Sequence, residues 1–135
     1  PLDIDTEVNW VSWQGPPGSF HDGRSTVSFA TTASLASYDA ARFRLNLILA
    51  DATGDEPDEN SFVGHDIVIG AVGLSVRKPI DRCVMVARAQ PGLPADISVL
   101  KRVIRERDNL MGVGAVVRRE GVVRVGDRLT VATSV

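Results

Sequence analysis

Cysteine and histidine are scarce: Cys83 is the single thiol, and His21 and His65 are the two imidazoles. An intrachain disulfide is therefore impossible, and neither a four-cysteine nor a two-cysteine, two-histidine zinc site can be assembled. Aromatic side chains are also few, four Phe, two Trp and one Tyr in 135 residues, so aliphatic packing has to supply the core. No apolar run approaches the roughly 18 residues of a membrane-spanning helix. The opening residues, Pro1 to Asp5, lack the basic and apolar regions of a signal peptide, and a cytoplasmic protein is the expectation. Neither sign of charge dominates. With 15 Lys plus Arg against 17 Asp plus Glu the formal net charge is −2, which gives no overall pull toward nucleic acid or an anionic membrane. The chain opens on Pro1 rather than Met, and it is expected to be one domain over residues 1–135, the C-terminal portion of a longer protein.

What is abundant is valine, at 19 positions. Stiff β-branched side chains favour a pleated surface over a helix, so the fold is expected to be mostly β. Val-rich or alternating runs predict strands over 25–31, 42–49, 66–69, 74–78, 82–88, 113–118, 122–124 and 128–132. One helix stands out over 96–107. Asp96 is its N-cap, Ile97, Leu100, Val103 and Ile104 recur at helical spacing, and Lys101, Arg102, Arg105 and Glu106 take the other side. A short second helix is expected from Thr32 or Ala33 toward Tyr38, and residues 11–24 read as a loop. Many short strands with one amphipathic helix point to a barrel or folded-over sheet, which removes exposed edges.

Phosphate-cradling glycine loops of the dinucleotide or P-loop kind are missing, and Gly112 and Gly114 mark a turn or a close backbone approach. The acidic run Asp51, Asp55, Glu56, Asp58, Glu59 lacks the glycine a calcium loop needs at its sixth position, where Glu56 stands, so it reads as a solvated surface loop. Neither His21 nor His65 is accompanied by a nucleophilic serine motif.

Three segments carry chemistry that a plain β core does not need. In 42–49, read as a strand, Phe43, Leu45, Leu47 and Leu49 share one face, while Arg42, Arg44 and Asn46 share the other. A guanidinium and an amide so placed can grip an anionic, hydrogen-bonding ligand; the same pattern also suits the polar side of an antiparallel sheet. In 81–86, Cys83 is flanked by Arg82, with Lys78 and Arg88 nearby. A thiolate is a soft metal ligand and neighbouring positive charge favours it, although a lone Cys in a Val-rich strand is equally a small buried hydrophobe. In 31–35, Thr31, Thr32 and Ser34 place hydroxyls at a strand-to-helix junction, where capping is the simpler explanation and oxyanion binding the other.

The order of these pieces resembles the MOSC domain, named for the C-terminal region of molybdenum cofactor sulfurase. The pieces are Thr32-Ala33-Ser34-Leu35, Arg42-Phe43-Arg44-Leu45-Asn46, Phe62-Val63-Gly64 with Ile69-Gly70, Asp81-Arg82-Cys83, Met111-Gly112-Val113, and Gly121 through Gly126-Asp127. The likeness runs from about Phe20 to Val131. Family members often have Pro where this chain has Leu45 and Trp where it has Phe62.

The resemblance implies a barrel-like β domain associated with a molybdenum pyranopterin cofactor, and pyridoxal phosphate binding comes with the same family association. Carried over, it makes Cys83 a molybdenum ligand and the catalytic residue, and gives Arg44 and Asn46 the cofactor's phosphate or pterin edge. Ser34 and Thr32 would assist, and Arg82 is a further candidate for the anionic ligand. The activity implied by the amidoxime-reducing relatives is reduction of small N-hydroxylated compounds. No flavin, haem or iron–sulfur motif occurs in the sequence, so a separate electron-donor reductase is the implied partner. Two alternatives stay open: a carrier that delivers sulfur or cofactor to a molybdoenzyme through a Cys83 persulfide, and a non-catalytic domain that keeps only the barrel. Larger family members carry an earlier basic β segment that also helps bind cofactor.

Overall fold

The computed structural model describes Ser25, residues 27–50 and residues 57–132. Its strands are β1 (Val27–Thr31), β2 (Leu47–Leu49), β3 (Asp66–Ile69), β4 (Val72–Asp81), β5 (Leu110–Arg119) and β6 (Leu129–Val131). Two α-helices, α1 (Thr32–Leu35) and α2 (Ile97–Arg107), and three 3-10 turns, Ala40–Phe43, Glu59–Phe62 and Val84–Ala87, connect them. The strands form one sheet in the order β2-β1-β5-β4-β3-β6. This is the expected mostly β, barrel-like architecture, realised as a half-barrel with β2 and β6 at the two ends of the strand order. Only β1 and β2 pair in parallel; every other neighbour is antiparallel.

Both faces of the sheet are covered. Phe29, Phe62, Ile67, Ile69, Leu74, Val76, Val113 and Ala115 form one core, which Leu47, Leu49 and Leu129 extend to the outer strands. Ala30, Leu35, Phe43, Val86, Val99, Val103 and Met111 form the other, beneath the helices. Met111 and Val113 are two residues apart and would share a face in a regular strand. They fall in different cores because Gly112 between them has φ +80 and the β4–β5 register shifts between Pro79 and Asp81. A β-bulge thus re-aims the start of β5.

The caps act as the sequence indicates. Thr31 accepts the Ser34 N–H and starts α1, and Asp96 accepts the Ser98 N–H at 2.9 Å and starts α2. The buried line of α2 is Val99 and Val103, with Leu100 packed beside it, whereas Ile97 and Ile104 are each 52% exposed. Its apolar stripe is therefore rotated from the expected one, because the helix lies over Phe43 and Val86 along its 99/103 side.

Several predicted strands differ. In 42–49 only Leu47–Leu49 is a strand. The preceding residues form a 3-10 turn that Asp39 caps by accepting the Ala41 N–H at 3.3 Å. Arg42 is buried and donates to the carbonyls of Val86, Arg88 and Pro94, so a tertiary bond overrides the alternation. The stretch 82–88 is also no strand: β4 ends at Asp81, opposite Leu110 where β5 begins, and among the described residues no partner strand lies beyond. Valine propensity without a partner gives the 3-10 turn Val84–Ala87. Residues 122–124 form no strand and lead into a turn at 125–126, which Asp127 holds by accepting the Arg124 N–H at 2.8 Å. The acidic run is not uniformly solvated: Glu59 is fully buried, while Asp58 is exposed. Asp51, Asp55, Glu56, His21 and the loop 11–24 lie outside the described residues. His65 is exposed just before β3. No helix among the described residues is long and apolar enough to cross a membrane.

Candidate functional site

Where β4 ends, the chain opens a cleft of about 470 Å³, within the range of small-molecule pockets. Ser25, Val27 and Ser28 from the start of β1, Arg42 to Arg44 with Asn46, Ile80 to Cys83, Met85, Val86 and Gly114 line it. Four of the six residues singled out in the sequence meet here: Arg44, Asn46, Arg82 and Cys83.

Cys83 is an exposed free thiol at the N-cap position of the turn Val84–Ala87, where its side chain makes no capping bond. Arg44 follows the buried Phe43 and takes the left-handed conformation, φ 50 and ψ 43, at a cost of roughly 1–2 kcal/mol for a residue with a Cβ. The Asn46 N–H bound to the Ser28 carbonyl at 3.0 Å and the Arg44 N–H bound to the Ala41 carbonyl at 3.3 Å hold it there. Among the described residues nothing pairs with the Arg44 guanidinium.

Asn46 is oriented by Ser28, whose backbone N–H and hydroxyl both donate to its side-chain oxygen at 2.8 and 3.0 Å. A backbone N–H can only donate, so the atom facing it is the oxygen, and the amide NH₂ keeps its donor capacity. Arg44 and Asn46 are thus brought together by a turn and a loop, not by one face of a strand.

Arg82 is already engaged. Its Nε and Nη2 donate to the Met111 carbonyl at 2.8 and 2.6 Å, Nη1 donates to the Phe43 carbonyl at 3.0 Å, and the guanidinium lies 5.4 Å over the Phe43 ring. Burial pushes its pKa down to about 10, against the opposing pull of Cys83, Asp81 and Glu59. It is still a cation at neutral pH, and it ties β5 to the turn that precedes Arg44.

Two cleft residues were missed in the sequence. Asp81 is an exposed carboxylate beside the thiol, within the Asp81-Arg82-Cys83 piece but with no role assigned from sequence. Ser25 is 8% exposed and its hydroxyl has no hydrogen-bond partner among the described residues. A buried, unpartnered hydroxyl costs about 1–3 kcal/mol unless a ligand satisfies it. No sequence signal marks it, since a serine before a strand is common.

Ser34 and Thr32 lie elsewhere. Ser34 donates to Glu59, and Thr32 is an exposed first residue of α1 that does not line the cleft. Glu59 also accepts from the Thr31 hydroxyl at 3.3 Å, Arg107 at 3.1 Å and the Gly112 N–H at 3.0 Å. The Thr31 and Ser34 hydroxyls therefore serve a cap and a buried carboxylate.

In chemical terms the cleft offers, among the described residues, one soft thiol, donors of Arg44, Asn46 and Ser25 that no described residue engages, and one carboxylate. Such a donor set suits a ligand rich in anionic acceptor oxygens. No three His, Cys, Asp or Glu side chains come together as a metal cage among the described residues. A metal held at Cys83 would take its other ligands from a bound group.

Comparison with known proteins gives three findings. The family described as MOSC domain matches residues 24–130. The crystal structure of YiiM from Geobacillus stearothermophilus superposes with a TM-score of 0.61 at 18% identity, over 81% of this chain and 55% of that one. This chain thus spans little more than half the length of that structure, and the likeness is one of fold. The sequence matches no curated protein.

Proposed function

Since the chain belongs to the MOSC domain family, which is linked to molybdenum cofactor binding, we propose that the cleft holds a molybdenum pyranopterin. We further propose that the site reduces N-hydroxylated compounds. One observation carries the reading: an exposed thiol shares a cleft with guanidinium, amide and hydroxyl donors that no described residue engages. Cys83 would supply the thiolate ligand to the metal. Arg44 and Asn46 would hold the phosphate or pterin edge, and Ser25 would find the partner it lacks. The Ser25 hydroxyl and the anion-seeking donors fit such a group; Ser34 and Thr32 do not line this cleft.

The bound group would supply the two-electron chemistry. Overall, the N–O bond breaks, the nitrogen gains two electrons and two protons arrive, releasing the amine or amidine and water. Asp81, the carboxylate among the described lining residues, would pass a proton to the departing oxygen. Val27, Ile80, Met85 and Val86 line the same space and would seat an apolar substituent. Electrons would come from a separate reductase.

A second reading rests on the same exposed thiol: Cys83 carries a persulfide and passes sulfur to a molybdoenzyme. The test is turnover of an aryl amidoxime by the purified full-length protein with a chemical reductant, the amidine being quantified. Turnover that Cys83→Ser abolishes supports the first reading. Absence of turnover together with cyanide-releasable sulfur on Cys83 overturns it in favour of the second.

A further inference from the structure

One peptide unit joins a buried anion to a half-buried cation. The bond between Met111 and Gly112 is trans, so its C=O and N–H point in opposite directions. The N–H donates to Glu59 at 3.0 Å, and the C=O accepts both Nε and Nη2 of Arg82 at 2.8 and 2.6 Å. Glu59 is fully buried and lies outside the cleft lining. Gly112 has φ +80, and a Cβ there would sit 3.0 Å from the Phe29 carbonyl and 3.2 Å from Arg82 Nη2, so no side chain fits beside this peptide.

Arg82 in turn reaches both arms of the cleft. Cys83 is the next residue, and the Phe43 carbonyl bound by Nη1 belongs to the peptide leading into Arg44. We infer that Glu59 is a positioning residue for the ligand site: through the Met111–Gly112 peptide it fixes Arg82, and through Arg82 it sets the spacing between Cys83 and Arg44. Carboxylate, peptide dipole and guanidinium are aligned head to tail, and each hydrogen bond in such a chain polarises the next. The Arg107 guanidinium donates to the same carboxylate oxygen at 3.1 Å and to the Leu110 carbonyl at 3.1 Å, but it makes no hydrogen bond to the Met111–Gly112 peptide and does not line the cleft. Its loss should weaken the fold and leave the relay in place. The inference borrows from the proposed function only the identity of the ligand.

The test is hydrogen exchange of the Arg82 Nε–H, followed by nuclear magnetic resonance in the full-length protein. In the native protein this proton exchanges far more slowly than that of Arg105, whose side chain is 69% exposed. Glu59→Gln speeds its exchange about tenfold, the scale of one weakened charge-assisted bond, while the Val113 and Ala115 amides keep their protection. Arg107→Met lowers the unfolding midpoint and leaves Arg82 exchange as in the native protein. Molybdenum retained by protein isolated with its cofactor falls at least tenfold in Glu59→Gln and is unchanged in Arg107→Met. Unaltered Arg82 exchange in Glu59→Gln, or equal acceleration in Arg107→Met, overturns the inference. Should Glu59→Gln not fold, native Arg82 exchanging as fast as Arg105 overturns it. If the native protein holds no molybdenum the cofactor reading falls, and the exchange data still decide the role of Glu59.

Discussion

The Arg82 guanidinium closes on the Met111 carbonyl with two hydrogen bonds, 2.8 Å from Nε and 2.6 Å from Nη2. Its third contact, to the Phe43 carbonyl at 3.0 Å, makes it the junction between the sheet, the turn before Arg44 and the thiol at Cys83. A residue of this kind holds a binding site without spending its charge on the ligand.

Arg82→Met removes those bonds and leaves two carbonyls unpaired, at about 2–4 kcal/mol. Denaturant unfolding should show a lower midpoint with an unchanged slope. Arg82→Lys recovers part of the loss, since an ammonium carries charge but lacks the planar fork. Equal stability of Arg82→Met and the native protein would contradict the geometry.

Gly112→Ala places a methyl group 3.0 Å from the Phe29 carbonyl at a φ of +80. Strain at one left-handed position costs about 1–3 kcal/mol, and the collision adds to it. Gly64, at φ +85 with nothing within 4 Å of a built Cβ, should lose less on the same substitution. Thermal unfolding of the two variants side by side checks the order.

Tyr38 and Glu106 give the fold a pH signature. The Tyr38 hydroxyl donates to the Glu106 carboxylate at 2.7 Å. That bond, with help from Arg105, holds the carboxyl below its ordinary range, while burial and the same bond push the phenol up. A depressed carboxyl stabilises above its unfolded value and loses this as pH falls through its folded one. A raised phenol stabilises below about pH 10 and loses this as pH rises through its folded value. Tyr38→Phe should therefore flatten the stability profile at both the acid and the alkaline end. Parallel profiles for Tyr38→Phe and the native protein would refute the coupling.

The sequence was legible where local chemistry decides. The caps Thr31 and Asp96 and the Val-rich runs of β1, β3, β4 and β5 specify their elements without distant help. It misled at 42–46 and 82–88, because an alternation of Phe43 with Leu45, or of Val84 with Val86, looks the same in a strand as in a 3-10 turn with one buried side. What breaks the tie is remote: Arg42 reaching the Pro94 carbonyl at 2.7 Å, and β5 beginning opposite Asp81. Cys83, Arg44 and Asn46 could be named from their chemistry, but their shared cleft depends on those turns. Ser25 and Glu59 could not be found, since an ordinary serine and one acid in an acidic run carry no mark of burial.

The most direct measurement is molybdenum per chain, by elemental mass spectrometry, in the full-length protein and in Cys83→Ser, each isolated from cells that make the cofactor. The account predicts about one molybdenum per native chain, as a single thiolate site requires, and almost none in Cys83→Ser. A native protein without molybdenum, or a serine variant that keeps it, would contradict the assignment of Cys83 as the metal's anchor.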